Sequence, residues 1–307
     1  MKRVFLLCSL LLLGVLASAQ ESKDDYLRRY NNLVERVGPS GLGVETLLNK
    51  WEADWPEDER QLLARFLFCF DRSRTSSIEE LDQDRYLGRE PLIPLTDSLG
   101  KKHNYFEVYD YDESLFADAI LAIDKAIRIK PWQLNYRFNK IDALIAYEKE
   151  SPDMALQELK SLVDKHFKEH PFWEMEGMDK VSDEQFKAFM QDYCFAFFRL
   201  GTPASAEAFK ALSQHLLGYC KDDPMYLGNL GSYHLVRKEY KQALKYYDQV
   251  LKKHPGDMSA LKNGVLAARA MKDVKLEKKY LTQMAKNGET EIDRASAQAR
   301  LEALNRK

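Results

Sequence analysis

Apolar residues along this chain recur mostly at three- and four-residue steps, the spacing of one face of an α-helix. The pattern is cleanest over residues 223–257. Leu227, Leu230, Tyr233, His234 and Val236 predict a helix over residues 225–237, and Ala243, Leu244, Tyr247, Val250 and Leu251 predict a second over 239–253. A glycine inside the first of these, Gly231, costs roughly 1 kcal/mol against alanine in an isolated helix. The expected compensation is close approach by a partner helix, with small Ala243 facing the crossing. Pro255 ends the second helix, because proline excludes the helical conformation of the residue before it and offers no N–H. Neither stripe can be buried by its own helix, so neighbours of the same kind are expected.

At these positions the chain resembles a tetratricopeptide repeat, a helix–turn–helix unit of roughly 34 residues. The matching residues are Leu230, Gly231, Ala243, Tyr247 and Pro255, with Leu227 where the family often has Trp and His234 where it often has Tyr. The resemblance implies an all-α, right-handed helix–turn–helix repeat solenoid. It also implies a concave surface built from the first helix of each pair, usually used to bind peptides or proteins.

The rest of the chain extends the pattern on both sides. Helices are expected over residues 20–38, 44–55 and 57–74, forming degenerate repeats over 20–74. Residues 75–111 interrupt them as an irregular insertion. In that insertion Ser76-Ser77-Ile78-Glu79-Glu80 has the form of a capped helix start, Pro91 and Pro94 bracket a short apolar stretch, and residues 104–109 alternate like a strand. Repeats then run over 112–288. Ala119, Ile123, Ala126 and Pro131 keep the spacing of Ala243, Tyr247, Val250 and Pro255. Further helices are expected over 132–147, from Ser151-Pro152-Asp153 to Pro171, over 183–200, 204–219, 258–271 and 274–287. Phe172-Trp173 and Met175 to Met178 read as a loop or short helix, and the aromatics of 183–200 as filling for the gap that a longer linker leaves. A polar helix over 289–307 suits the cap of a stack.

The first nineteen residues change the compartment expected. Lys2 and Arg3 precede an apolar run from Val4 to Val15, and Ala17-Ser18-Ala19 resembles a cleavage site, so residues 1–19 read as a secretory signal peptide. Export to a bacterial periplasm or cell surface is expected, with no membrane span in the mature chain. The whole chain carries 46 Lys and Arg against 48 Asp and Glu; without Lys2 and Arg3 the balance is 44 against 48, or −4. That balance disfavours a nucleic-acid partner. Cys69 reads as a small buried hydrophobe, while Cys194 and Cys220 lie on neighbouring helices and are candidates for a bridge.

One motif raises catalysis. His166, Glu169 and His170 match His-x-x-Glu-His, the inverted zinc-peptidase pattern. Pro171 stops the helix where a catalytic helix continues, and only Glu174 and Glu176 stand nearby as a third ligand. The favoured reading is a solvated, cationic helix C-terminus. The binding candidates are the outward positions of first helices: Arg137, Asn139 and Lys140, then Met225, Asn229, Ser232 and Leu235, then Lys262 and Asn263. The chain is therefore expected to be an exported scaffold binding a protein or peptide, with no catalysis and no cofactor, and with homo-oligomerisation open. The alternatives are a metal-dependent hydrolase using His166, Glu169 and His170, and a self-associating structural spacer.

Overall fold

The computed structural model describes residues 21–178 and 180–306; the expected signal segment, 1–19, lies outside them. The described chain is predominantly helical. In order, α1 (Lys23–Val37), α2 (Val44–Asp54) and α3 (Glu59–Ser73) precede three strands, β1 (Arg74–Leu81), β2 (Ile93–Thr96) and β3 (Lys102–Tyr111). Then come α4 (Glu113–Ile129), α5 (Leu134–Glu148), α6 (Asp153–Glu169), α7 (Asp183–Leu200), α8 (Pro203–Tyr219), α9 (Pro224–Val236), α10 (Tyr240–Lys253), α11 (Met258–Ala270), α12 (Val274–Asn287) and α13 (Glu291–Asn305). The helices pack largely against their sequence neighbours.

Local chemistry explains most boundaries. Ser22, Ser182, Thr202, Asp223, Asp257, Asp273 and Thr290 each accept a first-turn backbone N–H at an N-cap, a contact worth about 1 kcal/mol. Pro203 and Pro224 open α8 and α9 at positions where the missing N–H has no helical role. Gly201, with φ of 72°, ends α7 in the left-handed region.

The chain forms two compact units, one from α1–α4 and one from the sheet with α5–α13. In the first, α3 lies along α4, so these two helices make a pair although the whole sheet segment separates them in sequence. Ala119, Ile123 and Ala126 of α4 are fully buried. Trp51 is also fully buried, stacks on Tyr26 at 5.8 Å and donates to Asp58 at 3.2 Å.

In the second unit α9 packs on α10, α11 on α12 and α12 on α13. Their shared core holds Leu227, Ala243, Tyr247, Leu261, Tyr280, Leu281 and Ala297. Glu277 is buried there and accepts from Arg269 at 2.6 Å and Arg300 at 2.9 Å, which ties α11, α12 and α13 together.

Three expectations need correction. Residues 75–111 are not irregular: they hold an antiparallel sheet of order β1-β3-β2. Ser76 to Glu80 is not a helix start but part of β1, paired residue by residue with β3 from Arg74 opposite Tyr111 to Leu81 opposite Asn104. A local capping box is worth about 1 kcal/mol, whereas a full ladder satisfies backbone groups along the whole strand and suits Thr75 and Ile78. Pro94 sits in β2 at the sheet edge, where a missing N–H is tolerated. Of the loop or short helix expected over residues 172–178 the structure has the loop, in which Glu174 exchanges backbone bonds with Trp132 at 2.9 Å and Leu134 at 2.8 Å. The thiols of Cys69, Cys194 and Cys220 are all free, so no bridge joins Cys194 to Cys220.

Candidate functional site

The second unit carries a groove between α5, α7 and the sheet. One part, about 450 Å³, is lined by Asn135, Phe138 and Asn139 of α5, by Phe189, Tyr193 and Arg199 of α7, and by Met175. The adjoining part, about 290 Å³, lies between α5 and the sheet and is lined by Arg74, Arg89, Tyr86, Tyr109, Tyr111 and Lys149. Asp142 and Ala196 line both parts and mark their junction.

The floor is aromatic. Phe138 meets Phe189 at 5.4 Å and Tyr193 at 5.5 Å between ring centroids. The sheet contributes Tyr111, edge-on to Tyr147 at 5.6 Å. Alternation along β3 explains that contribution: Asn104, Phe106 and Val108 are buried, while Tyr105, Tyr109 and Tyr111 face the other way.

A tight turn presses the sheet segment onto α7. Tyr86 and Arg89 exchange two backbone hydrogen bonds, at 3.0 and 2.9 Å, around Leu87 and Gly88, whose φ values of 48° and 75° are both left-handed. This is the geometry of a two-residue hairpin turn. A side chain at Gly88 would overlap the Arg199 carbonyl at the end of α7, so the approach requires glycine.

Charge is placed around the rings. The guanidiniums of Arg74 and Arg89 lie 4.9 and 6.0 Å from the Tyr109 ring centre. Lys149 pairs with Asp110 at 2.9 Å. Asp142 is exposed as a residue, yet burial of its carboxyl pushes its pKa up, with a hydrogen bond from Tyr193 opposing. Rings with interspersed cations and carboxylates suit an extended chain bearing mixed side chains.

The expected binding residues do not converge on this groove. Asn139 lines it, with its amide also donating to Asn135 O at 2.8 Å. Arg137 instead donates to Pro131 O at 3.0 Å and lies over the buried Trp173 ring. Lys140 pairs with Glu158 at 2.6 Å, Lys262 with Asp293 at 2.9 Å, and Ser232 sits 3.4 Å from the Tyr247 hydroxyl. Asn263 is half-buried, Met225 is exposed, and Leu235 packs on the C-terminal core. Asn229 is a correction. It is buried, exchanges amide bonds with Gln191 at 2.8 and 2.9 Å, and donates to Ser213 at 3.2 Å. A stripe of Tyr226, Asn229, Leu230 and Tyr233, all buried, carries it inward.

His166 is a core residue. It is buried, accepts from the Trp173 indole at 3.1 Å and stacks on Phe186 at 3.7 Å. Burial lowers its pKa, partly opposed by Asp183. His170 is the left-handed C-cap of α6. No group of three His, Cys, Asp or Glu among the described residues has the geometry to hold a metal ion. No helix among them is long and apolar enough to cross a membrane.

No protein-family model matches the chain, and no curated protein is detectably similar to it. Fold and site together define a predominantly helical protein of neighbouring helix pairs, compatible with a helical repeat, that carries a small antiparallel sheet.

Proposed function

We propose that this chain is an exported tetratricopeptide-like scaffold of a bacterial cell envelope. It binds an extended segment of another protein in the groove of α5, α7 and the sheet, and it carries out no catalysis. The continuity of the two clefts through Asp142 and Ala196, with aromatic rings along both, carries this reading. Asn139 of α5, one of the binding positions that the resemblance implies, lines this groove and supports the reading. Gly231 and Tyr247, and again Gly264 and Tyr280, meet in the close crossing that the repeat resemblance implies. Export rests on residues 1–19; N-terminal sequencing of protein recovered from the periplasm should begin at Gln20.

The groove is tested by filling it. Ala196→Trp places a ring at the junction, and a photo-crosslinking residue at Asn139 reports what lies there. The expected result is loss of envelope-protein capture by Ala196→Trp at an unchanged melting temperature, with crosslinks from position 139 and none from Lys241. Equal capture by both forms ends the groove reading.

A further inference from the structure

β1 is an edge strand with one side open. It is bonded to β3 along its whole length, and among the described residues no strand pairs with its other side. Every β1 residue before Leu81 is exposed. An open edge offers a row of unpaired backbone N–H and C=O groups, and folded proteins ordinarily blunt it with proline, lysine, a bulge or a very short strand. The opposite edge of this sheet is blunted in that way, since β2 has 4 residues and contains Pro94. β1 has 8 residues, no proline, glycine or lysine, and an unbroken register.

We propose that β1 pairs antiparallel with β1 of a second copy of this chain, joining two sheets into one. Only alternate residues of a strand turn their N–H and C=O toward a given side. Two copies of one strand therefore fit antiparallel only when the numbers of paired residues sum to an even value. The register with Ser77 opposite Ser77 meets that condition over residues 74–80. It sets Arg74 opposite Glu80 at both ends, Thr75 opposite Glu79, and Ser76 opposite Ile78.

The charge pattern selects this arrangement. β1 is basic at its start and acidic at its end, so parallel pairing sets like charges together and antiparallel pairing sets opposite charges together. Arg74 and Glu80 lie on the same sheet face, since their β3 partners are Tyr111 and Tyr105. Glu80 is held in place there by His103 at 2.7 Å and Tyr105 at 3.3 Å, and Arg74 by its stack on Tyr109. Directly opposed residues have Cβ atoms about 5 Å apart, within reach of an Arg–Glu pair added to these contacts.

The test uses the mature chain, and it is independent of the groove because it reads only self-association. Sedimentation of wild type should show a reversible dimer. Arg74→Glu and Glu80→Arg should each weaken it on the order of ten-fold, because each replaces two attractive pairs by two repulsive ones. The double variant should restore it. Ser77→Cys should oxidise to a covalent dimer, because opposed Cα atoms about 5 Å apart fall within disulfide range, whereas Ser98→Cys should not exceed the wild-type background. A wild type monomeric at every concentration, a dimer insensitive to both single changes, or a double variant that stays monomeric while folded overturns the proposal. So does an extended peptide of another protein occupying β1 in place of a second copy.

Discussion

The β-carbon that Gly231 lacks would lie 2.8 Å from Cδ1 and Cζ of Tyr247, and the one that Gly264 lacks would lie 2.7 Å from Cδ1 of Tyr280. The contact thus recurs after 33 residues, both as 264 − 231 and as 280 − 247. Both tyrosine rings are buried and cannot swing aside. Gly231→Ala gains helix propensity of roughly 1 kcal/mol but overpacks the crossing at about 1–3 kcal/mol. A net loss is expected, read as a lower melting temperature. Gly228→Ala, on the same helix but facing open space, should instead raise it. Equal gains at both positions would remove the packing explanation of Gly231.

Asn229 is expected to act on stability. Asn229→Leu leaves the buried Gln191 amide without its partner and should cost about 1–3 kcal/mol in urea unfolding. Lost binding at unchanged stability would return Asn229 to the list of ligand contacts.

Glu277 sets a pH dependence. Burial raises its carboxyl pKa, but hydrogen bonds from Arg300 and Arg269 more than offset this, so the folded value lies below the ordinary 4.5. Its contribution is therefore complete above the unfolded value and is lost as pH falls through the folded one. Both guanidiniums are partly exposed, so Glu277→Gln should cost only about 1–2 kcal/mol at neutral pH. The gap between wild type and variant should narrow as pH falls below the ordinary carboxyl value of 4.5. A gap constant across that range would mean that the pair carries no charge-dependent stability.

Gln61 offers a stabilising change. It is fully buried in α3, and neither atom of its amide has a hydrogen-bond partner among the described residues. Gln61→Leu keeps the volume and removes two unsatisfied groups, so a gain of about 1 kcal/mol is expected. Destabilisation by Gln61→Leu would show that the amide has a partner after all.

Most helices were readable because their signals are local. Ser182, Thr202 and Asp223 begin helices, Gly201 and Pro255 lie at or just beyond helix ends, and the stripes between them have a 3.6-residue period. The site was much less readable. Asn139 lines the groove, but Tyr109, Tyr111, Phe189 and Tyr193 stand on elements remote in sequence, and only folding sets them beside one another. Asn229 was misplaced because a lone polar residue in an apolar helix reads as outward unless its buried partner Gln191, 38 residues earlier, is known.

Sequence alone determined that this chain is built of paired amphipathic helices, because backbone hydrogen bonds and apolar period within a helix involve residues only a few positions apart. Tertiary structure decided that residues 74–81 become a strand, that α3 finds α4 across the sheet segment, and that the turn at Gly88 docks on the end of α7. Each of those outcomes depends on a partner far along the chain, and no short-range period records which distant surface an element will meet.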